Sequence, residues 1–380
     1  MPLLASHASS MPRSGIRRIM DLAWASADPV IGLHVGEPSF STPEHVRDAA
    51  ADALARGETK YVPNPGIPAL REAIADKVTT RNGFPALPEQ VVVTAGGMQA
   101  ISLALTAILT TGDEVLVPDP GWPNFDMAVR LLQGTPVRYP LTPERDFLPD
   151  VERLEDLVTD RTRAIVVNSP SNPLGTVFTE AIAEQLVRFA DRHDLWVLSD
   201  ECYDAFTFEA PHVSPARWDE QDRVLSLFSF SKTYAMTGMR VGYLVAPESV
   251  APATAKMQEA ILACVNAPAQ RAALAALQGP QDSVEHMRAT YRERRDRAVE
   301  LLEGEGTRYL RPRGSFYLWL DVHDHTDGDV ANWALDLLRR RHVAVAPGTA
   351  FGPAGEGWIR TSLATDTDQL LEGLARITKP

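Results

Sequence analysis

Cysteine, long apolar runs and basic charge are all scarce in this sequence. Its 380 residues include only two cysteines, Cys202 and Cys264, which are too few for a disulfide framework and lack metal-ligand spacing. No metal site is therefore expected, and a reducing cytoplasm is the default location. No apolar stretch approaches the length of a membrane span, and Arg13, Arg17 and Arg18 interrupt the N-terminal region. Neither a signal peptide nor a membrane anchor is expected.

The charge balance excludes another group of partners. The chain carries 37 basic and 50 acidic residues, a formal net charge of −13 at pH 7. Because this charge repels nucleic-acid phosphates and anionic lipid, neither nucleic acid nor a membrane is expected as a partner, although a local cluster can still hold a small anion. With 44% hydrophobic and 23% charged residues, the composition is that of an ordinary globular protein with enough chain for two domains.

Between Val91 and Ala273, short β-branched runs alternate with helical patterns. The clearest strands are 91–94, 114–117, 136–139, 164–167, 196–199 and 224–227. Most of these runs are continuously apolar, which favours strands that helices cover on both faces and that parallel crossovers connect. The sequence therefore predicts an α/β domain around a parallel sheet.

The last third of the chain has a different mixture of elements. After Gly279 a strongly charged helix is predicted to about Gly304, and its charges are interpreted as a solvated face. Shorter strands and helices follow, which favours a small α+β domain over 280–380. The large domain is predicted over 46–279, and residues 1–45 form an arm that lies partly against the small domain. The first helix of the large domain is predicted to be capped by Thr42 and to end at Gly57.

One lysine and one arginine, Lys232 and Arg240, stand eight residues apart between two apolar runs. This order indicates a strand, a turn and a second strand. A lysine at the end of a buried strand loses water, so its neutral amine becomes accessible and can form a Schiff base with a carbonyl. Arginine keeps its charge and suits a phosphate. For an isolated Ser-x-Ser-Lys, a solvated loop lysine is the more common interpretation.

Four other segments carry residues with two possible interpretations each. Gly97 stands between a strand and a helix, where the first helical amides favour an anion, although a tight turn for packing is equally consistent. Asp200 follows a strand and either caps a helix or faces a ligand. Trp122 is either core or a flat surface for a planar cofactor. Arg360 is either a surface ion pair or a two-bond partner for a carboxylate.

Taken together, these segments resemble the class I/II pyridoxal-phosphate aminotransferases, in their aspartate-aminotransferase-like subgroup. The resemblance extends from about residue 14 to the C-terminus, through six separated motifs in the family's order. It implies the fold-type I architecture, a large domain with a mostly parallel seven-stranded sheet plus a smaller α+β domain. It also implies pyridoxal 5′-phosphate as cofactor, and a homodimer with its sites at the interface. The implied reaction moves the amino group of an L-amino acid to a 2-oxo acid through pyridoxamine phosphate.

The resemblance assigns chemical roles to residues that match the family's motifs. Lys232 carries the cofactor and moves the proton at the substrate, and Asp200 keeps the pyridine nitrogen protonated. Tyr203 and Asn172 donate hydrogen bonds to the ring's phenolate oxygen, and Trp122 stacks on the ring.

Further residues are assigned to the phosphate and to the substrate. The phosphate-binding residues that the resemblance implies are Gly97, Met98, Ser229, Arg240 and, from the neighbouring subunit, Tyr61. Arg360 is implied to bind the substrate's α-carboxylate, with Gly36 and Asn172 beside it. Cys202 replaces a more usual aliphatic residue and is interpreted as a small buried hydrophobe.

Two other functions are weighed against transamination. A C–S lyase or a decarboxylase on the same scaffold begins in the same way, and substrate orientation, which the sequence does not show, decides among them. A transcription regulator with an aminotransferase-like sensor needs an N-terminal DNA-binding domain and usually a basic surface. Neither is expected here.

The residue after the paired glycines bears on the amino donor. Some aspartate-using members of the subgroup carry a basic residue there, where it can meet the substrate's distal carboxylate, but this chain has Met98. A thioether cannot pair with a carboxylate, and an unpaired buried charge is costly. Neutral or aromatic amino acids are therefore expected to be better donors than aspartate, unless an arginine of the arm such as Arg17 takes that place.

Overall fold

Residues 3–379 are the part of the chain that the computed structural model describes, and they contain thirteen β-strands and fifteen α-helices. The strands β1 to β13 are, in chain order, Ile31–Gly32, Val91–Thr94, Glu114–Asp119, Thr135–Pro140, Thr162–Asn168, Trp196–Asp200, Val224–Ser229, Gly242–Val245, Tyr309–Leu310, Tyr317–Asp321, Val343–Ala344, Ala346–Pro347 and Trp358–Ser362. The helices α1 to α15 are Ser6–Ser9, Gly15–Trp24, Glu44–Ala55, Pro68–Lys77, Gly97–Ile108, Pro123–Leu131, Val151–Glu155, Glu180–Arg192, Phe230–Thr233, Ala251–Ile261, Ala267–Gln278, Asp282–Gly304, His323–Thr326, Val330–Arg341 and Thr367–Thr378.

A seven-stranded sheet in the order β2-β8-β7-β6-β5-β3-β4 forms the centre of the fold. Only β8 runs antiparallel to its neighbours β2 and β7, and the remaining pairings are parallel. Successive residues of β5 face opposite hydrophobic clusters, since Ile165 and Val167 pack with α8 while Val166 packs with α5. Burial on both faces explains the continuous apolar runs. The prediction of a mostly parallel seven-stranded sheet is confirmed, and all six predicted strand segments lie in it.

The parallel strands end at one edge of this sheet, where several residues singled out from the sequence lie. The chain leaves β2 into the first turn of α5 at Gly97, leaves β3 towards Trp122, and leaves β5 towards Asn172. Asp200 is the last residue of β6, and Ser229 is the last residue of β7. Ligands in open α/β sheets bind beside this edge.

A second, antiparallel sheet lies in the C-terminal third, with strand order β12-β13-β10-β9. The N-terminal segment joins it, because β1 pairs in parallel with β11 through Ile31 and Val343. Helix α2 contacts β12 as well. The mixed composition of this third agrees with a smaller α+β unit, while the boundaries near residues 45 and 279 stay predictions.

Two local predictions differ from the structure. Thr42 does not cap α3, because its hydroxyl donates to the Ala235 carbonyl at 2.6 Å and Pro43 occupies the cap position. The charged helix α12 is not a wholly solvated face, because Arg294 and Arg295 are buried. Arg295 pairs with Glu209 and donates to a backbone carbonyl, so a distant loop, not water, satisfies it.

No helix within residues 3–379 combines the length and the apolar character needed to cross a bilayer. The same residues contain no group of three or more His, Cys, Asp or Glu side chains that could hold a metal ion.

Candidate active site

A cavity of about 260 Å³ opens where the parallel strands of the large sheet end. The sequence singled out twelve residues, and eleven of them line this cavity: Gly36, Gly97, Met98, Trp122, Asn172, Asp200, Tyr203, Ser229, Lys232, Arg240 and Arg360. The other lining residues are Ile16, Cys202, Ser231 and Tyr317. A larger groove of about 520 Å³ between the N-terminal arm and α6 contains none of the twelve.

Lys232 lies in the short helix α9, which Ser229 caps by accepting a hydrogen bond from the Ser231 amide at 3.2 Å. The Lys232 ammonium group donates to the Gly36 carbonyl at 2.7 Å. Burial is the main reason that the pKa of Lys232 falls to about 8, although nearby Glu37 opposes the shift. A substantial share of this amine is therefore neutral near physiological pH, as a nucleophilic lysine requires.

Asp200 is enclosed at the end of β6, and its carboxylate accepts a hydrogen bond from the Cys202 amide at 3.0 Å. None of the ion pairs among residues 3–379 involves it. Burial raises the pKa of Asp200 to about 6, and the hydrogen bonds from Cys202 only partly offset this effect. The carboxylate therefore lacks a cationic partner within the described chain, and a cationic ligand atom would supply one.

One end of the cavity is suited to an anion. Gly97 begins α5, and the first amides of a helix have no intrahelical acceptor. The Arg240 guanidinium lies beside this turn, where it donates to the Thr237 carbonyl at 2.8 Å. Gly96 has a φ of +79°, and a Cβ there would lie 2.5 Å from Arg240 Nη2, so glycine is needed for this approach. Backbone amides, a guanidinium and the Ser229 hydroxyl thus face the same end of the cavity.

Arg360 occupies the opposite side, on β13, and is 2% exposed. Its Nη1 donates to Asn172 Oδ1 at 2.9 Å and its Nη2 donates to the His34 carbonyl at 2.5 Å. The guanidinium carbon lies 4.3 Å from the ring centre of Tyr317 and 4.9 Å from that of Phe351. Burial and the nearby Arg360 charge lower the pKa of His34 to about 4, so this imidazole adds no charge.

The Arg360 guanidinium is not neutralised inside the protein. No carboxylate among residues 3–379 forms an ion pair with Arg360, and its buried Nε has no hydrogen-bond partner there. A guanidinium has five N–H donors in a fork that matches a carboxylate. The cavity therefore contains a fixed cation that a carboxylate ligand would satisfy.

Two residues that organise the cavity through hydrogen bonds were not singled out from the sequence. Tyr317 lies in the C-terminal third, to which no site residue but Arg360 was assigned, yet its hydroxyl lies 2.8 Å from the Tyr203 hydroxyl inside the cavity. Asn168 is the last residue of β5. Its side chain donates to the Asp200 carbonyl at 3.0 Å and accepts from the Asn172 amide at 2.8 Å, so it fixes both neighbours. The Asn-Ser-Pro sequence after a buried strand was a signal that could have identified Asn168, but no local pattern marked Tyr317.

The remaining wall is apolar. Ile16 of α2, Met98 and Trp122 line it, and Asn124 Nδ2 lies 3.1 Å from Met98 Sδ. Arg17 points elsewhere, since it is exposed and its guanidinium contacts Met20 Sδ at 3.4 Å. Among residues 3–379, the cationic side chains that line the cavity are Lys232, Arg240 and Arg360.

Tyr61 is the one predicted residue outside the cavity. It lies in the extended loop before α4 and is 89% exposed. It does not line the cavity within one chain, and its contact with the phosphate of a neighbouring subunit stays a prediction.

Comparison with known proteins identifies the relatives of this chain. The family model for class I and II aminotransferases matches residues 28–377. The aspartate/prephenate aminotransferase of Thermus thermophilus is 41% identical over 353 residues, which cover 92% of this chain and 90% of that protein. The aromatic-amino-acid aminotransferase 2 of Thermococcus litoralis is 39% identical over 371 residues, with coverage of 96% and 95%. The solved structure of Thermus thermophilus aspartate aminotransferase with maleate superimposes with a TM-score of 0.95 at 38% identity, covering 100% of this chain and 99% of that one.

Proposed function

The chain belongs to the class I and II aminotransferase family, and we propose that the cavity around Lys232 is its cofactor and substrate site. The protein is a pyridoxal-phosphate-dependent aminotransferase, which transfers the amino group of an L-amino acid to a 2-oxo acid. One observation carries the site assignment. A lysine of lowered pKa shares a cavity with a carboxylate and a guanidinium that the described chain leaves unpaired.

The residues of the cavity fit pyridoxal phosphate. Arg240, Ser229 and the first amides of α5 suit its phosphate. Asp200 suits the pyridine nitrogen, since its enclosed carboxylate forms no ion pair among residues 3–379. Asn172 uses its Oδ1 for Arg360, which leaves its amide nitrogen to donate to the phenolate oxygen beside Tyr203. Trp122 offers a flat surface for the ring.

The protein's own groups divide the work of the reaction. Pyridoxal phosphate, when bound, supplies an electron sink for the electron pair released at the substrate's Cα. Lys232 would hold the cofactor covalently, and its free amine, for which a pKa of about 8 is well placed, would take the proton from the substrate's Cα and deliver it to the cofactor's C4′ carbon. Asp200 would keep the ring nitrogen of the bound cofactor protonated. Arg360 grips the α-carboxylate with parallel hydrogen bonds, and Gly36 places its carbonyl beside the Lys232 amine.

Absorption spectroscopy tests this assignment. We expect the purified protein to be yellow, with a visible band that borohydride removes and that Lys232→Ala abolishes. Lys256→Ala is the matched control, because Lys256 is exposed on α10 and outside the cavity. A colourless protein that gains no band when pyridoxal phosphate is added, or a Lys232→Ala variant with an unchanged band, would show that the cavity has been misassigned.

The amino donor is proposed to be neutral or aromatic. The wall formed by Ile16, Met98 and Trp122 is apolar, and each of the three cations in the cavity already has a role. Arg17, the alternative partner for a distal carboxylate, faces solvent. The relatives include one protein named for aspartate and prephenate and one named for aromatic amino acids, so both donor classes occur among close matches.

Donor kinetics of the wild type and of Met98→Lys test this proposal. The wild type should have a higher kcat/KM for phenylalanine than for aspartate. Met98→Lys should raise kcat/KM for aspartate relative to phenylalanine, by about 1–3 kcal/mol if the new pair is well desolvated. Met98→Leu removes the thioether without adding charge and should leave the ratio near that of the wild type. A wild type that prefers aspartate, or a ratio that Met98→Lys does not move, would exclude Met98 as the determinant.

A homodimer is proposed as the functional assembly, in the cytoplasm. Tyr61 is exposed, and its loop is joined to the end of α10 by a 3.1 Å hydrogen bond between Asn64 and Glu259. Ile261 and Leu262, at that end of α10, are exposed apolar residues. Sedimentation should give a dimer at micromolar concentration, and Tyr61→Phe should weaken pyridoxal-phosphate binding. A fully active monomer would contradict the proposal.

A further inference from the structure

Tyr317 contacts two groups that have separate tasks in the proposed site. Its side chain is fully buried, and its hydroxyl lies 2.8 Å from that of Tyr203. The Arg360 guanidinium lies 4.3 Å from the centre of its ring. Gly36 leaves room for the hydroxyl, since a Cβ at that position would lie 2.2 Å from it. Tyr317 therefore joins the cofactor side of the cavity to the carboxylate side.

The register of the second sheet explains the contact with Arg360. In the antiparallel pair β10 and β13, Tyr317 is opposite Ser362 and Trp319 is opposite Arg360. Tyr317 and Arg360 are thus diagonal neighbours on one face, close enough for long side chains to meet. Phe351, in the turn that follows β12, has its ring centre 4.9 Å from the Arg360 guanidinium carbon. The guanidinium is therefore close to two aromatic rings. Rings that contact the face of a guanidinium leave its in-plane N–H groups available to a carboxylate.

In the proposed site, the hydrogen bond between the Tyr317 and Tyr203 hydroxyls has a defined donor. A tyrosine hydroxyl has one hydrogen to donate. If Tyr203 donates its hydrogen to the cofactor's phenolate oxygen, then Tyr317 must be the donor in the bond between the two hydroxyls. Burial raises the pKa of both tyrosines, so both keep their protons at neutral pH. Hydrogen bonds in such a chain polarise one another, which strengthens the last donor.

We propose that Tyr317 is a positioning residue with two separable tasks. Its hydroxyl directs the Tyr203 hydrogen towards the cofactor oxygen, and its ring holds the Arg360 guanidinium in the orientation that takes the substrate's α-carboxylate. This inference rests on the proposed function of the cavity.

Two substitutions at Tyr317 separate the tasks. Tyr317→Phe keeps the ring and removes the hydroxyl, so kcat should fall about three- to tenfold while KM for the amino donor stays within about twofold of the wild type. The midpoint of the pH titration of the visible band should rise, because weaker donation disfavours the ionised phenolate oxygen. Tyr317→Leu also removes the ring and should raise KM for the amino donor by a further three- to thirtyfold or so.

Two further variants supply the controls. Tyr291→Phe removes a buried hydroxyl from a ring 5.2 Å from Phe316 but outside the cavity, and it should leave kcat, KM and the band unchanged. In a Tyr203→Phe background, Tyr317→Phe should cause no further shift of the band midpoint, because the hydroxyl would act only through Tyr203.

Several results would overturn the inference. They are a Tyr317→Phe variant with wild-type kcat and band midpoint, a double variant whose shifts add, or a Tyr317→Phe variant whose KM rises as much as that of Tyr317→Leu. A wild-type protein without any borohydride-sensitive band would overturn the cavity assignment instead, so the two failures are distinguishable.

Discussion

Asp200 and Asp204 lie four residues apart and are both largely enclosed, yet their surroundings differ. The Asp204 carboxylate is paired with Lys77 and accepts a 3.1 Å hydrogen bond from Asn82. Although burial alone would raise the pKa of Asp204, the charges of Lys77 and His212 hold it below its ordinary value. Asp200 has no such partner, and burial raises its pKa to about 6. The protein's own side chains thus neutralise the Asp204 carboxylate. The Asp200 carboxylate stays unpaired in the cavity, where a cationic ligand can pair with it.

The two most deeply buried arginines repeat the contrast. Arg295 pairs with Glu209 and Asp296, and its guanidinium lies 4.9 Å from the Phe208 ring. Arg360, equally buried, has no carboxylate partner among residues 3–379 and retains a free Nε. An unpaired buried charge costs several kcal/mol, so its retention favours a functional role.

The largest expected effect is the difference in turnover between two matched substitutions. Asp200→Asn should lower kcat roughly 10²–10⁴-fold, because the pyridine nitrogen would no longer be held protonated. Asp204→Asn should lower kcat less than about tenfold, since Asp204 touches neither cofactor nor substrate. Steady-state kinetics with one donor and 2-oxoglutarate measure both. Equal losses in the two variants would remove the functional distinction between the carboxylates.

The positions of most site residues could be predicted because apolar runs in the sequence indicate the strands of the large sheet. Apolar runs such as 164–167 and 196–199 indicate where β5 and β6 end; Asn172 comes shortly after β5, and Asp200 is the last residue of β6. Parallel strands bring such ends together without knowledge of the side-chain packing. The contrast between Asp200 and Asp204 was not predictable, because Lys77 comes from α4, 127 residues before Asp204.

The other features that the sequence did not predict also depend on contacts between residues far apart in the chain. Tyr317 meets Arg360 only through the register of β10 against β13, which one strand does not specify. Arg294 and Arg295 belong to a charge-rich helix, and only distant residues such as Ser39 and Glu209 show that their side of α12 is buried. Local pattern therefore located the loops of the site, whereas tertiary contacts decided which charges were paired.

The second expected effect concerns the two arginines. Arg360→Lys should lower kcat/KM about 30- to 1000-fold, or 2–4 kcal/mol, because an ammonium cannot make two parallel bonds to the α-carboxylate. Arg295→Lys should leave kcat/KM within about threefold and lower the Tm instead. If Arg295→Lys damages kcat/KM as much as Arg360→Lys, the unpaired guanidinium has no special part in substrate binding.

The third effect is on the stability of the cofactor-free protein, and its sign should differ between the carboxylates. Asp200 has a folded pKa of about 6, above its ordinary value of 3.8, so the folded state binds more protons between these pH values and stability falls as pH rises through that window. At pH values above about 6, Asp200→Asn should raise the free energy of unfolding of the apoprotein by about 2–3 kcal/mol. The folded pKa of Asp204 is depressed, so its contribution is present above the ordinary pKa and is lost as pH falls through the folded one.

Asp204→Asn should accordingly destabilise the apoprotein at neutral pH, because it leaves the largely enclosed Lys77 ammonium group unpaired. Urea unfolding of both variants at pH 4 and pH 8 measures the two signs. A destabilised Asp200→Asn apoprotein at pH 8 would contradict the account of an uncompensated carboxylate.

The most direct test uses the scarcity of lysine. The sequence has five lysines, at positions 60, 77, 232, 256 and 379. Two of them, Lys77 and Lys232, lie near the end of the large sheet; Lys77 pairs with Asp204, and Lys232 is the proposed carrier of the cofactor. Borohydride reduction of the holoprotein followed by peptide mass mapping identifies the lysine that carries the pyridoxyl group. The account predicts modification of Lys232 alone, and a pyridoxyl group on Lys77 would contradict it.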